Sequence, residues 1–487
     1  MSTDSDRYEQ TRIRHVSYMH DLMAQLMPRL RWSRAEIEAE QTRALGDFVG
    51  HAIAHSRWHQ ARLRHIDAGS LSPARLAEIP PMTKHDLMNH WDEIVTDPRC
   101  ALAAAEAHLT KTSDICSDAY FIDEYHVVAS GGSSGRRGVF VFDWHGWAAQ
   151  YAAIMRGLVS VAERSSSNAS GSFAVVAARI PTHMSSAITQ TFSNRTRPIV
   201  QAPVTLPLPE IVARLNRARP AILSVYASML PILCEEARAG RLQISPALVW
   251  STSEVLLPEA RELAEATWRV PVVNAWIASE GPGAIACHIA PGFHIAEDLN
   301  IIEPVDEDLN PVPCGERSAK ILLTNFSNKL MPLIRYEITD QFQLAAESCA
   351  CGSAYFKVQD VQGRAEEVFD YGGGVRAHPH IFGSVLGREP SITAYQVWQT
   401  ANGAEVDVIA PSVIRLDRIR FALEKSLTQV GLKGPHVTVR CVDVIQRQAS
   451  GKLKRYIPLN LHKDWSNEST RARRCDRMQN SDHLTRP

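Results

Sequence analysis

Val127-Val-Ala-Ser-Gly-Gly-Ser-Ser-Gly-Arg-Arg-Gly-Val-Phe-Val-Phe142 is the stretch on which the reading of this chain turns. Two short apolar runs rich in β-branched residues, 127–129 and 139–142, predict strands on either side of a loop of glycine, serine and arginine. A loop of that composition presents consecutive backbone N–H groups without side-chain obstruction. Ser130, Ser133 and Ser134 add hydroxyls, Gly131, Gly132 and Gly135 keep the backbone open, and Arg136 and Arg137 add positive charge. Such a loop suits a polyphosphate. A flexible glycine-serine linker is the competing reading, but linkers are not normally clamped between two strands. The spacing is neither Gly-x-x-x-x-Gly-Lys-Ser/Thr nor Gly-x-Gly-x-x-Gly, so neither a P-loop nor a dinucleotide-binding turn is predicted. Read alone, the loop implies phosphate and nothing finer.

The surroundings bound the problem. The chain has 487 residues, enough for more than one domain, with 45% hydrophobic and 22% charged residues. The formal net charge is −1, which offers no electrostatic case for nucleic acid or an anionic membrane. No apolar run approaches the roughly 18 residues of a membrane span. The polar, acidic start Met1-Ser-Thr-Asp-Ser-Asp is unlike a secretory signal. Nine scattered cysteines do not make a disulfide framework, so reduced thiols and a cytoplasmic location are expected.

Upstream of the loop, residues 10–70 read as helical, and Thr83 with Asp86 resembles a capping box with Asp in place of Glu. His85 reads as a surface residue of that helix. Downstream, a helix is predicted at 144–158. Strand-like runs at 172–178, 221–226, 247–251 and 271–275 then alternate with helical stretches at 208–219, 228–239 and 258–268. That alternation predicts an α/β fold with a largely parallel sheet. Beyond Gly283 the runs 300–304, 320–326 and 333–336 predict a β-rich subdomain. Residues 368–460 read as a small α+β domain, with strands at 394–399, 406–410 and 437–444 and a helix at 416–430. The expected division is a large domain over 1–362, a hinge at 363–367, the small domain, and a polar, disordered tail over 461–487.

Four further stretches carry chemistry. Ala275-Trp-Ile-Ala-Ser-Glu-Gly-Pro-Gly283 follows a predicted strand, where an open α/β sheet places ligands. Trp276 can stack on a flat base, and Glu280 can hold magnesium through oxygen; a core Trp and a surface Glu are the plainer readings. Pro332-Leu-Ile-Arg-Tyr-Glu-Ile-Thr-Asp340 puts Arg335 and Asp340 near a strand end, with Asp340 suited to a ribose diol. Gly363-Arg-Ala-Glu-Glu367 lies at the inferred hinge, and Ala449-Ser-Gly-Lys-Leu-Lys-Arg455 offers Lys452 on a turn.

In this order and at these separations the stretches resemble the adenylate-forming superfamily of acyl-CoA synthetases, adenylation domains and luciferases. Within it the likeness is nearest to the phenylacetate–coenzyme A ligase family. Leu76-Ala-Glu-Ile-Pro-Pro-Met-Thr-Lys-His-Asp-Leu87 and Ala278-Ser-Glu-Gly-Pro-Gly283 resemble that family's signatures, and the resemblance spans residues 40–460. It implies that Ser130 to Gly138 handles the β,γ-phosphates of ATP. Trp276 would lie beside adenine, Ser279 by the α-phosphate, Glu280 on magnesium and Asp340 on the ribose, with Arg335 in the same motif. Ser253 and Glu254 fall, loosely, where the family contacts adenine. Arg364 and Glu366 match the hinge, and Lys452 the catalytic lysine. The implied activity is ATP-dependent activation of a small, aromatic carboxylic acid, followed by transfer to coenzyme A. Transfer to an amine is the alternative; transfer of AMP itself and a non-enzymatic zinc-bearing binding protein are the others. The acid would be lined by 178–186 and 221–226, with His183 and Tyr226 as candidates. Departures include Arg136 and Arg137 in the phosphate loop, Trp276-Ile277 for tyrosine-glycine, Glu337-Ile-Thr339 in place of a more arginine-rich run, and Glu366-Glu367 for an aspartate pair. They put the identity of the acid in doubt.

Ser348-Cys-Ala-Cys-Gly352 brings two thiols together, half of a tetrahedral zinc site. Some members of the resembled family carry a structural zinc on Cys, His, Cys and Cys from these regions. The histidine there comes seven residues after the first cysteine and just before a Glu-Asp pair. Here that set is Cys287, His294, Cys349 and Cys351, followed by Glu297-Asp298, with His288 as the other histidine in reach. Four buried residues without metal are the alternative. A homodimer is left open, and neither nucleic acid nor a membrane is expected as a partner.

Overall fold

The computed structural model describes residues 4–115, 120–130, 138–164, 172–177, 182, 184–192, 199–203, 206, 208–287, 289, 292–362, 369–373, 375–377, 379–386, 389, 391–392, 394–410, 414–447 and 453–461. Gly131 to Arg137, His183, the hinge with Arg364 and Glu366, Lys452 and the tail beyond 461 lie outside these residues, so their expected roles are carried as proposals.

The opening stretch is a hairpin. His126–Ala129 and Val139–Phe142 pair antiparallel, with Ala129 opposite Val139, and every residue of both strands is buried. The base of the loop is closed twice over. Ser130 N–H donates to the Gly138 carbonyl at 2.9 Å, and Gly138 N–H donates back to Ser130 Oγ at 2.8 Å. A Cβ on Gly138 would sit 2.8 Å from the Phe140 ring, so a close approach explains that glycine.

The alternation read downstream forms a five-stranded parallel sheet in the order Ile199–Gln201, Phe173–Val176, Ile222–Tyr226, Leu248–Thr252, Val272–Ala275. The chain runs outward from Phe173–Val176 to Ile199–Gln201 and then returns to the other side. The topological switch point therefore lies between Phe173–Val176 and Ile222–Tyr226, and ligands of such sheets bind beyond the carboxyl ends there. The helices Leu208–Ala218, Leu230–Arg238 and Pro258–Trp268 place residues such as Leu215, Leu233 and Ala264 in one core against one face. Ile154, Leu158 and Val161 of the helix Trp144–Arg164 pack on the other.

The β-rich part comprises an antiparallel sheet of Asn300–Val305, Lys320–Asn325 and Tyr336–Ile338, and a second of Gln341–Leu344, Lys357–Gln362, Phe293–Ile295 and Ala284–Ala286. The strand expected at 333–336 instead begins at Tyr336. Arg335 adopts φ +53°, a left-handed conformation that breaks the extended run before it. The small C-terminal domain has its own core around Phe369, Phe382, Val397, Val406 and Leu423. Its mixed sheet runs His436–Cys441, Gly403–Ile409, Ala394–Thr400, Tyr456–Ile457 and is backed by the helix Leu416–Gln429.

The capping box expected at Thr83 is present. Thr83 Oγ1 accepts from Asp86 N–H, and Asp86 returns a carboxylate to Thr83 N–H at 2.8 Å. His85 is exposed. The segment before the helix Lys84–Asn89 docks on the Asp340 motif. Met82 pairs with Tyr336 as an isolated parallel bridge, with Met82 N–H donating to the Arg335 carbonyl. The 76–87 stretch and the 332–340 stretch therefore meet in one contact.

Behind the hairpin lies an aromatic cluster that the sequence did not announce. His126 stacks on Trp147 at 4.1 Å, and His15 of the helix Asp4–Leu26 contacts both His126 and Trp144. Burial pushes His15 down to about 3 and His126 well below the ordinary imidazole range; His59 is likewise pushed down to about 3, first by burial and then by Arg62. These rings are neutral when folded and titrate near 6.5 when unfolded. As pH falls below about 6.5 the unfolded chain gains protons that the folded chain refuses, so stability drops towards pH 3, by up to about 1.4 kcal/mol per pH unit for each ring. Thermal unfolding between pH 8 and 5 should show Tm falling below pH 6.5. His126→Phe should flatten that slope; an unchanged slope would remove His126 from the account.

Candidate active site

The site begins where the strand Val272–Ala275 ends. Trp276 follows it, and its Nε1–H donates to Asp340 Oδ2 at 2.7 Å, across 64 residues of sequence. The ring is mostly buried and meets Phe342 edge-on at 5.1 Å. The aromatic and the acid picked out for a base and a ribose are thus neighbours.

The turn after Trp276 is held by three side-chain amides. Gln150 Nε2 donates to the Ala278 carbonyl at 2.6 Å, Asn325 Nδ2 to the Glu280 carbonyl at 3.0 Å, and Asn300 Nδ2 to the Pro282 carbonyl at 3.2 Å. All three amides are buried, and Asn300 faces Asn325 in the register of their sheet. Every second carbonyl of 278–282 is gripped, which fixes Ser279 and Glu280 on a rigid support. Gly283 closes the turn: a Cβ there would lie 2.4 Å from the Trp276 carbonyl oxygen. Sequence reading missed these amides. The signal for Gln150 was a polar residue within the apolar stripe Trp147, Ile154, Leu158, Val161 of one helix.

Arg335 is a correction. The residue is 4% exposed; its guanidinium pairs with Glu303 through Nε at 3.0 Å and donates to the Ile79 carbonyl at 2.6 Å. It braces residues 77–79 against the strand Asn300–Val305, and we drop it from the nucleotide contacts. A buried arginine with those partners has no face left to offer a ligand. Ser253 sits just past the strand Leu248–Thr252 at φ +67°, an unusual backbone for serine. Both carboxylate oxygens of Glu254 accept backbone N–H groups, from Ser228 at 2.8 Å and Leu453 at 3.2 Å.

The four residues predicted for zinc come together. The ligand atoms of Cys287, His294, Cys349 and Cys351 all lie within 4.8 Å of one another. Cys287 Sγ is 3.6 Å from Cys349 Sγ, and Cys351 Sγ is 3.2 Å from His294 Nε2. Two thiolates at a tetrahedral zinc stand about 3.8 Å apart, so the spacing suits the ion. His294 Nδ1 is 2.9 Å from the Tyr355 carbonyl, the outer contact that aims Nε2 of a ligating imidazole. His288 lies outside the described residues. The acidic pair beyond the cluster is structural. Glu297 accepts from Arg34 at 2.8 and 2.9 Å, and Asp298 forms a fully buried pair with Arg156 at 2.6 and 2.7 Å.

Known proteins share this architecture. No family model matches the chain. A phenylacetate–coenzyme A ligase of Thermus thermophilus is 26% identical over 274 residues, which is 50% of this chain and 61% of that protein. The chain thus matches less than two thirds of that relative's length. A crystal structure of a 2-hydroxyisobutyryl-CoA ligase in the postadenylation state, with a hydroxyacyl-AMP, overlays with a TM-score of 0.67 at 17% identity, covering 90% of this chain and 94% of that one. The same ligase in its thioesterification state, with its acyl-AMP and coenzyme A, overlays at 0.53 with 18% identity, covering 88% and 91%.

Proposed function

From a chain that has the fold of the adenylate-forming ligases, we propose an enzyme that activates a small carboxylic acid with ATP and passes the acyl group to coenzyme A. The observation that carries this is the 2.7 Å contact between Trp276 and Asp340 beside the pinned Ser279-Glu280 turn. A ring suited to a base and a carboxylate suited to a ribose diol meet just past the strand Val272–Ala275 of the parallel sheet, with Glu280 four residues on as the proposed magnesium ligand, the place where such sheets bind nucleotides.

In the first half-reaction the substrate carboxylate attacks the α-phosphorus. A new O–P bond forms, the bond to pyrophosphate breaks, and the acyl carbon becomes an electrophile as an anhydride to AMP. Little covalent chemistry falls to the protein; it positions and it stabilises charge. Trp276 and Asp340 hold the adenosine, and Ser279 meets the α-phosphate. The Ser130–Gly135 loop with Arg136 handles the departing pyrophosphate, and Lys452 adds positive charge. Glu280 would hold magnesium, which neutralises phosphate charge when bound. In the second half-reaction the thiol sulfur attacks the acyl carbon and AMP leaves. For that step the small domain turns about 363–367, where Arg364 and Glu366 lie, and carries Lys452 away. The acid would occupy the switch point beside Tyr226, and a small aromatic acid is expected there by analogy with the resembled family alone. Cys287, His294, Cys349 and Cys351 would hold a structural zinc; four protein ligands leave no open position for chemistry.

The test is a pyrophosphate-release screen with Mg-ATP over aryl, heteroaryl and short aliphatic acids. Release should require a carboxylic acid, and added coenzyme A should yield the thioester. Amide formation on adding amines instead would reassign the acceptor, and acid-independent ATP turnover would overturn the proposal.

A further inference from the structure

Glu254 joins parts of the chain that are far apart in sequence. Oε2 accepts the N–H of Ser228, in the single helical turn Ala227–Met229 that follows the strand Ile222–Tyr226. Oε1 accepts the N–H of Leu453, which is buried beside Ala394 and Ile445 of the small domain. One carboxylate therefore ties two strand ends of the large domain to the small domain, at the residue next to Lys452. The tie does not stand alone. Leu257, three residues past Glu254, packs against the small domain's core, and Arg447 of the small domain donates to Met229 Sδ at 3.4 Å. The left-handed backbone of Ser253 turns the chain between the strand Leu248–Thr252 and this contact.

The geometry points to Glu254 as a positioning residue, a latch that holds the small domain in the orientation for adenylation and sets Lys452 through Leu453; this rests on the acyl-adenylate reading above. A carboxylate accepting two backbone N–H groups is strong enough to favour one orientation. Each bond can be exchanged for one to water at modest net cost, so the latch can release when the second half-reaction needs Lys452 withdrawn. A carboxylate engaged by two backbone donors is also poorly placed to accept hydrogen bonds from adenine, the role first expected of Glu254.

The test uses the full chain. Cys314 and Cys441 are both exposed, one in each domain. In a Cys116→Ser, Cys475→Ser background they can take spin labels for an interdomain distance distribution. In Glu254→Ala that distribution should broaden. Pyrophosphate release should fall about tenfold to a hundredfold through kcat, with KM for ATP moving less than about threefold. A supplied acyl-adenylate should still be converted at the wild-type rate. Glu254→Gln, which keeps one acceptor, should lie between; if the alanine variant does not fold, its distribution decides. An unchanged distribution, a raised KM for ATP at constant kcat, or equal loss of both half-reactions would overturn the latch. Should the wild-type chain release no pyrophosphate with any acid, the enzymatic reading falls, and the distance distribution alone decides the latch.

Discussion

Lys452→Ala will cut ATP-dependent pyrophosphate release by about a hundredfold to a thousandfold and leave conversion of a supplied acyl-adenylate to thioester nearly intact. The split follows from charge. In the first half-reaction negative charge grows on the pyrophosphate as it leaves, and a lysine ammonium held nearby lowers the energy of that state more than the ground state. In the second, the leaving group is AMP, and under the proposed turn of the small domain the lysine is no longer beside the reacting atoms. Single-turnover assays of the two halves separate them. Equal loss in both would place Lys452 at one fixed site and discard the hinge. The next residues along the chain are described: Leu453 N–H donates to Glu254, and Lys454 is buried.

Chelating the zinc proposed for the Cys287, His294, Cys349, Cys351 cluster should lower Tm by roughly 10 °C or more. The cluster ties the strand Phe293–Ile295 to the 349–351 turn. Next to it, Glu297 and Asp298 receive Arg34 and Arg156 from two separate helices. Loosening the cluster exposes a buried ion pair that is stable only while its geometry is kept. Elemental analysis of the purified chain should find about one zinc per chain, as a single four-ligand site requires. Cys349→Ala should lose both the zinc and the Tm, whereas Cys441→Ala, at an exposed position outside the cluster, should change neither. Full stability without metal would leave four uncoordinated side chains, Cys287 and His294 buried and the other two partly exposed, and no zinc site. Below the lowered Tm, adenylation should persist, because a closed site takes no part in the chemistry.

Much of this was legible in the sequence, and the exceptions have physical reasons. The roles of Trp276, Glu280 and Asp340 came from the family resemblance rather than from composition; what the structure adds is that Trp276 and Asp340, 64 residues apart, are in contact. Two thiols two residues apart suggested only half of a metal site; that Cys287 and His294 join them was what the family resemblance implied, and the structure brings the four ligand atoms within 4.8 Å of one another. The capping box at Thr83 needed only local rules. Arg335 misled because arginine in a ligand-binding motif and arginine as a buried brace look alike until Glu303 and the Ile79 carbonyl are placed beside it. The interdomain contacts of Glu254 were not legible because its donors, Ser228 and Leu453, lie 26 and 199 residues away. His15 and His126 carry no periodic signal that separates a neutral core ring from a surface one. Gln150, Asn300 and Asn325 act through the carbonyls they hold, which no side-chain pattern reports.

The Trp276–Asp340 site is proposed to make an acyl-adenylate. The most direct measurement is mass spectrometry of a stoichiometric mixture of enzyme, Mg-ATP and the best acid from the screen, without coenzyme A. The account predicts a mixed anhydride of that acid with AMP and an equal amount of pyrophosphate, both lost in Asp340→Ala. ADP with inorganic phosphate, or an acyl phosphate, would contradict it.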